Sequence, residues 1–314
     1  GFIFVGSRKA GELIVIKDFD NNGISDYKRV IANSLNQPSG VSFHEGNIYF
    51  SEIDKIWKIV NIEQWLDSNS SGMPEKVLVS SSLPDDEWHG WKWIAHNQAG
   101  DLFTNIGAPC NVCLKDDQRY SSIVKLEGNE WMPIARGVRN SVGFDFHPTT
   151  GELYFGDNGR DWLGDDSPSC ELNRLEKEGT HFGFPYLHAS DVIDPEFGNI
   201  AHGFDIKLPI LELGAHVAPT GLVFYDHDGF GSEYTNNIFI ALHGSWNRSS
   251  KVGYKLVRVI LDGSGNALAM EDFVTGFLDN QTVLGRPSAP MLMRDGSLLL
   301  SDDKSNTIFR IVKK

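Results

Sequence analysis

Short β-branched or aromatic runs recur along this chain between turns rich in Gly, Asn and Asp, while sustained helical periodicity is scarce. The pattern predicts an all-β protein. It also repeats, at the 40 to 50 residues or so expected of propeller blades. Each unit is a polar segment, an apolar strand, a Gly-containing hairpin, a second apolar strand, another polar segment and a third strand. NQPSGVSFHEGNIYFSEIDKIWKIV from Asn36, HGWKWIAHNQAGDLFTNIG from His89 and RNSVGFDFHPTTGELYFGDNGR from Arg139 are three such units. APTGLVFYDHDGFGSEYTNNIFIALHG from Ala218 has a longer turn, RPSAPMLMRDGSLLLSDDKSNTIFRIV from Arg286 closes the series, and the opening GFIFVGSRKAGELIVI is a partial unit. Sheets of this kind bury their faces on one another, which explains strands that are apolar on more than one side. The expectation is a six-bladed β-propeller with four-stranded antiparallel blades. Residues 1–314 are read as one domain whose first blade lacks its start. NIEQWLDSN from Asn61 reads as a short helix or turn, and SDVIDPEFGNIAHGFDI from Ser190 as an irregular insertion.

Composition narrows the function. With 40% hydrophobic residues in 314 the chain can bury a sizeable core, and 28 basic against 42 acidic residues give a formal charge of −14. That charge repels phosphate backbones, so no nucleic-acid partner is expected. No apolar run approaches the roughly 18 residues that would cross a bilayer. Of three cysteines, Cys110 and Cys113 stand in a C-x-x-C spacing. No second cysteine pair or closely spaced histidine pair accompanies them, so a local disulfide is favoured over zinc, and Cys170 has no assigned role.

In a blade the first two strands run in opposite directions, so the segment before the first and the segment after the second emerge on one face. Before first strands stand Gln37, His89, Arg139 with Asn140, His216 and Arg286; after second strands stand Arg8 with Lys9, Glu52, Asp157 to Arg160, His243, Trp246 to Arg248, and Asp302 to Lys304. Cations, imidazoles and amides at equivalent repeat positions predict a polar pocket for an anionic, planar ligand.

The segments GVRNSVGFDFHP, GELYFGDNGR, DDSPSCELNRL, HFGFPY, HGSWNRSSKVGYKLVRV and GRPSAPMLMRDGSLLLSDD resemble the pyrroloquinoline quinone-dependent glucose and sorbosone (aldose sugar) dehydrogenases, almost end to end. The R-N pair before a strand, followed by the strand-end glycine and E-L-N, is the most specific part. The resemblance implies an oxidoreductase that uses the quinone and Ca2+ on a sugar or polyol and passes electrons to an external acceptor. It implies His89 as general base, because a neutral imidazole takes a hydroxyl proton near pH 7. Arg139 and Asn140 match the pair that contacts quinone and substrate oxygen, Arg139 stabilising developing negative charge. Gly159 and Arg160 fall where two backbone carbonyls hold the cofactor's calcium. Arg248 and Arg286 fall where cations meet quinone carboxylates, with Trp246 and Lys304 beside them. His216 and Asp157 are assigned to the substrate side. A periplasmic or extracellular location is implied as well.

The chain departs from the best-known glucose enzymes. His216 stands where they stack a tryptophan, Asn247 beside Arg248 where they have a lysine, and Ser288 where they have a second arginine. In these positions it more closely resembles the sorbosone-type branch. Separately, DFDNNGISD places oxygen-bearing Asp18, Asp20, Asn22 and Asp26 in a calcium-loop pattern with Gly23 at the sixth position. Arg29 replaces the twelfth-position glutamate, so the loop is either a structural calcium site or an Asx-rich turn. Two other readings of the whole chain stay open: a calcium-dependent lactonase-type hydrolase using Glu52, Asn140 and Asp157, and a propeller that binds without catalysing.

Overall fold

The computed structural model describes residues 1–68 and 70–313. The fold is the expected all-β, six-bladed β-propeller; among the described residues six blade sheets follow one another along the chain, with two further two-stranded sheets, Leu187–His188 with Val192–Ile193 and Leu278–Asp279 with Thr282–Val283. Three of the blade sheets are four-stranded as expected; the sheet of Ile3–Ser7, Glu12–Lys17 and Tyr27–Ala32 has three strands, as has that of Pro287–Leu292, Leu298–Asp302 and Thr307–Ile311. Another gains a fifth short strand, Thr180–His181, which pairs parallel with Ala135 and Arg136. The stretch after Asn61 is helical over Ile62–Asp67, and Asn69 at its end lies outside the described residues. Among the described residues no helix is long and apolar enough to cross a membrane.

The chain forms two compact units, Gly1–Cys110 with Ile123–Pro133, and Asn111–Ser122 with Ile134–Lys314. In the first, alternation along Glu12–Lys17 sends Leu13 and Val15 inward to join Ile31, Ile48, Phe50 and Ile59. In the second, the second strands Leu153–Asp157 and Ile238–Leu242 are buried along their whole length, as apolar runs packed on both faces must be. Each fully buried side chain such as Phe155 or Phe239 contributes about 1.5–3 kcal/mol.

One glycine position repeats for a steric reason. A Cβ on Gly143 would lie 1.8 Å from the Thr220 carbonyl oxygen, and one on Gly221 2.6 Å from the Ala289 Cα. Gly40 does the same in the first unit, 2.6 Å from the Lys92 carbonyl oxygen. First strands of neighbouring sheets thus approach to backbone contact, and only a residue without a side chain admits it.

Candidate functional site

In the second unit the polar residues are held by acids at strand ends. Asp157 closes the strand Leu153–Asp157, and its carboxylate accepts the backbone N–H of Arg139 at 2.8 Å and of Asn140 at 2.7 Å. Asp302 closes Leu298–Asp302 in the same way, its Oδ1 accepting the N–H of Arg286, Lys304 and Ser305. The same repeat position therefore pins the segment before a first strand to the end of the second. Asp157 pairs across the ladder with Glu171, so two carboxyls share one buried face. Burial first, then the charge of Asp157, pushes Glu171 up to about 8; burial raises Asp157 to about 6 against its backbone hydrogen bonds. Burial thus favours the neutral form of both carboxyls, more strongly for Glu171.

Arg139 is 4% exposed. Its Nε donates to the Asn111 carbonyl oxygen at 2.8 Å, Nη2 to Asn111 Oδ1 at 2.9 Å and Asp161 Oδ2 at 3.1 Å, and Nη1 to the Asn158 carbonyl at 3.2 Å. Four of its five N–H donors are used this way, and one on Nη1 is left over. Asp161 is shared: its Oδ1 accepts Asn247 Nδ2 at 2.7 Å. Trp162 and Trp246, both about two-thirds exposed, meet edge to face with centroids 5.5 Å apart. Arg248 bonds the Asp165 carbonyl and pairs with Asp166 at 2.8 Å, while its buried Nε has no hydrogen-bond partner. His216 is buried, and its Nε2 donates to the Gly164 carbonyl at 2.7 Å, which fixes the tautomer. The R-N segment and the HGSWNR segment are joined in this way through residues 161–166.

Arg286 donates from Nε and Nη2 to the carbonyls of His243 and Gly244, leaving Nη1 uncommitted, and the Lys304 side chain is exposed. The buried Asn140 Oδ1 has no hydrogen-bond partner. A buried acceptor left unmade costs on the order of 1–3 kcal/mol, so it marks a position where a donor from a ligand is favoured. Gly159 and Arg160 follow Asp157 directly. The Arg160 guanidinium is buried against Asp194 and faces Glu196 at 3.6 Å, and Asp194, fully buried, also holds His188 Nε2 at 2.8 Å and caps the N–H groups of Glu196 and Phe197. Asp194 belongs to the insertion after Ser190, so that segment anchors the side chain of Arg160.

In the first unit, His89 has φ +55°, and its Nδ1 lies 2.7 Å from the Ala108 carbonyl oxygen. A carbonyl accepts only, so Nδ1 carries the hydrogen and Nε2 is the basic nitrogen; Trp88 Nε1 donates to it at 3.1 Å. The neighbouring Lys92 is buried, with Nζ 2.6 Å from the Gly90 carbonyl, and burial pulls its amine down to about 8. Glu52 accepts the indole N–H of Trp57 at 3.0 Å. In the early loop, Asp18, Asp20 and Asp26 bring carboxylate oxygens within 4.8 Å of one another, and a buried oxygen of Asp18 has no hydrogen-bond partner. The Asn22 Oδ1 accepts the Ile24 N–H, an Asx turn, and the backbone N–H of Gly23 bonds Asp18.

Three residues of the site stood outside the sequence reading. Asn111 is the main partner of Arg139, Asp161 joins two distant segments, and the Cys170 sulfur, buried and pushed up in pKa by that burial, receives backbone N–H groups from Gly159 and Ala218. The flanking C-x-x-C, which is disulfide-bonded as favoured, was the one signal near Asn111.

A TrAA12-like family profile matches residues 203–314. An uncharacterised protein of Borreliella burgdorferi is 36% identical over 321 residues, spanning 99% of this chain and 83% of that one. The Trichoderma reesei carbohydrate-active enzyme of family AA12, in its iodide structure, superposes with a TM-score of 0.80 at 20% identity, covering 99% of this chain and 90% of its own. The holo pyranose dehydrogenase PQQ domain of Coprinopsis cinerea gives 0.81 at 19%, covering 100% and 90%. The PQQ-bound aldose sugar dehydrogenase of Streptomyces coelicolor gives 0.65 at 16%, covering 96% and 84%. At these identities the solved structures bear on the fold, which they share with this chain. The chain is thus related along nearly its whole length to the Borreliella burgdorferi protein, and its residues 203–314 match the TrAA12-like family.

Proposed function

We propose that this chain is a quinoprotein oxidoreductase that takes hydride from a hydroxyl or hemiacetal carbon of a sugar, polyol or sorbosone-like substrate, with pyrroloquinoline quinone and Ca2+ as cofactors and an external electron acceptor. The observation that carries the reading is the Asp161 carboxylate, which binds Arg139 Nη2 and Asn247 Nδ2 together. It joins the R-N and HGSWNR segments, the two stretches that the family resemblance needs in one site.

The donor set fits a planar, carboxylate-bearing quinone. Arg286 Nη1, the buried unpartnered Nε of Arg248 and the exposed Lys304 are cationic donors, and Trp246 is an exposed aromatic side chain. The Gly159 and Arg160 carbonyls are hard oxygen donors of the kind calcium takes. When bound, the quinone supplies a two-electron acceptor and the calcium a Lewis acid. This chain's residues do the rest. His89 Nε2, the basic nitrogen in the tautomer set by the Nδ1–H bond to Ala108, takes the substrate hydroxyl proton in place of the Trp88 indole N–H that it accepts here. Arg139 places a fixed positive charge where negative charge develops, and Asn140 Oδ1 accepts from a ligand hydroxyl. Asp157 keeps both backbones in place, and His216, held by Gly164, lines the substrate side. The Asp18 loop with Asp20, Asn22 and Asp26 holds a structural calcium. A periplasmic or extracellular setting suits the Cys110–Cys113 disulfide, which an oxidising compartment preserves.

The test is anaerobic reconstitution with the quinone and calcium, following the cofactor spectrum as aldoses and polyols are added. Substrate-dependent reduction is expected, and His89→Ala should still bind the quinone while turning over roughly 10²–10⁴-fold more slowly. Folded protein that fails to take up the quinone in calcium overturns the reading.

A further inference from the structure

We infer that Asn111 is the positioning residue for Arg139 and Asp161, an inference that rests on the oxidoreductase reading for its functional consequence. A long arginine side chain is not oriented by a carboxylate alone, because one ion pair leaves the guanidinium plane free to turn. Asn111 removes that freedom. Its backbone carbonyl takes Nε at 2.8 Å and its side-chain Oδ1 takes Nη2 at 2.9 Å, two contacts along one edge of the guanidinium. The same Oδ1 accepts the Asp161 N–H at 2.8 Å, and Nδ2 donates to the Asp161 carbonyl at 3.1 Å. Asn111 thereby fixes the cation, and the peptide that presents the Asp161 carboxylate to Arg139 and Asn247, in a single act.

The chemistry requires a carboxamide. Aspartate keeps the acceptor for Arg139 but loses the donor to Asp161, and an aliphatic side chain loses both. The half-buried segment that carries Asn111 has no regular secondary structure of its own, and the disulfide between Cys110 and Cys113 closes it around that residue. With Asn111 in place, Arg139 has its Nη1 donor left over in a fixed orientation. Without its side chain, one of the two contacts along that edge and the hold on the Asp161 peptide are lost, which loosens the guanidinium, weakens binding and misaligns the charge.

The test uses the full chain and two readouts. The first needs no ligand: hydrogen exchange of the Arg139 Nη2 protons, one of which donates to the Asn111 side chain, followed by nitrogen-15 NMR. Slow exchange is expected in the native chain and fast exchange in Asn111→Ala. The second is the affinity for pyrroloquinoline quinone in calcium, read by tryptophan fluorescence, together with the split between KM and kcat. Asn111→Ala should bind the quinone roughly ten- to a hundredfold more weakly, the worth of a lost hydrogen bond to a charged group, with Asn111→Asp intermediate. If Asn111→Ala does not fold, Asn111→Asp carries the same readouts. Protected Arg139 Nη2 protons and native quinone affinity in a folded Asn111→Ala would overturn the inference. If the native chain itself binds no quinone, the functional reading fails, while the exchange measurement still decides whether Asn111 positions Arg139.

Discussion

Asp157 and Glu171 face each other across adjacent strands, and both carboxyls are buried. Asp157 spends its two oxygens on the backbones of Arg139 and Asn140, whereas Glu171 accepts the Ala189 N–H and Asn173 Nδ2. The division is unequal because only one of two adjacent buried carboxyls is easily ionised, and Asp157 has the cation Arg139 nearby. Asp157 therefore serves as the charged anchor and Glu171 as its neutral neighbour.

This arrangement predicts a pH dependence of stability. Glu171 has a folded pKa of about 8 against an ordinary 4.5, so the folded state keeps a proton that the unfolded chain releases. The favourable contribution is complete below about 4.5, declines as pH rises toward 8, and is gone above it, with a slope of at most about 1.4 kcal/mol per pH unit from one proton. In Glu171→Gln the decline across this window should flatten, and above pH 8 the variant should equal or exceed the native chain in stability. Urea midpoints at pH 5, 7 and 9 measure it; an unchanged slope would assign the effect elsewhere.

Gly143 predicts a steric contrast. Alanine there would drive its Cβ to 1.8 Å from the Thr220 carbonyl oxygen, whereas Gly263 has nothing within 4 Å of that position. Gly143→Ala should lose about 3 kcal/mol or more, or fail to fold, and Gly263→Ala should stay within about 0.5 kcal/mol of the native chain. Thermal melts of the two variants side by side decide the matter. Equal melts would mean that the backbone contact gives way at little cost.

The Asp18 loop predicts a calcium response independent of the quinone. In quinone-free protein, calcium at a hundredfold excess over its Kd should stabilise by about 2.7 kcal/mol, and chelation should reverse it. Asp20→Ala, which removes one of the three clustered carboxylates, should abolish the response. A full calcium shift surviving in Asp20→Ala would leave the loop as an Asx turn.

Of the carboxylates named for the lactonase-type alternative, Asp157 spends both oxygens on backbone N–H groups, and Glu52 accepts the Trp57 indole through Oε1. Their roles were hidden because an acid at a strand end has the same sequence signature whether it binds a metal or a peptide.

The repeat of strand and turn, the all-β class and the family resemblance were determined by the sequence alone. These depend on alternation over two residues, on turn chemistry and on motifs that are contiguous in the chain. His89, Arg139 and Arg286 could be singled out for the same reason, since each precedes a recognisable strand. Tertiary structure decided the partners. Asn111 reaches Arg139 across 28 positions and Asp161 reaches Asn247 across 86, and nothing local distinguishes either from a solvated loop residue. The fate of Cys170 and the proton on Glu171 were decided there too, because burial and neighbouring charge exist only once the strands have packed.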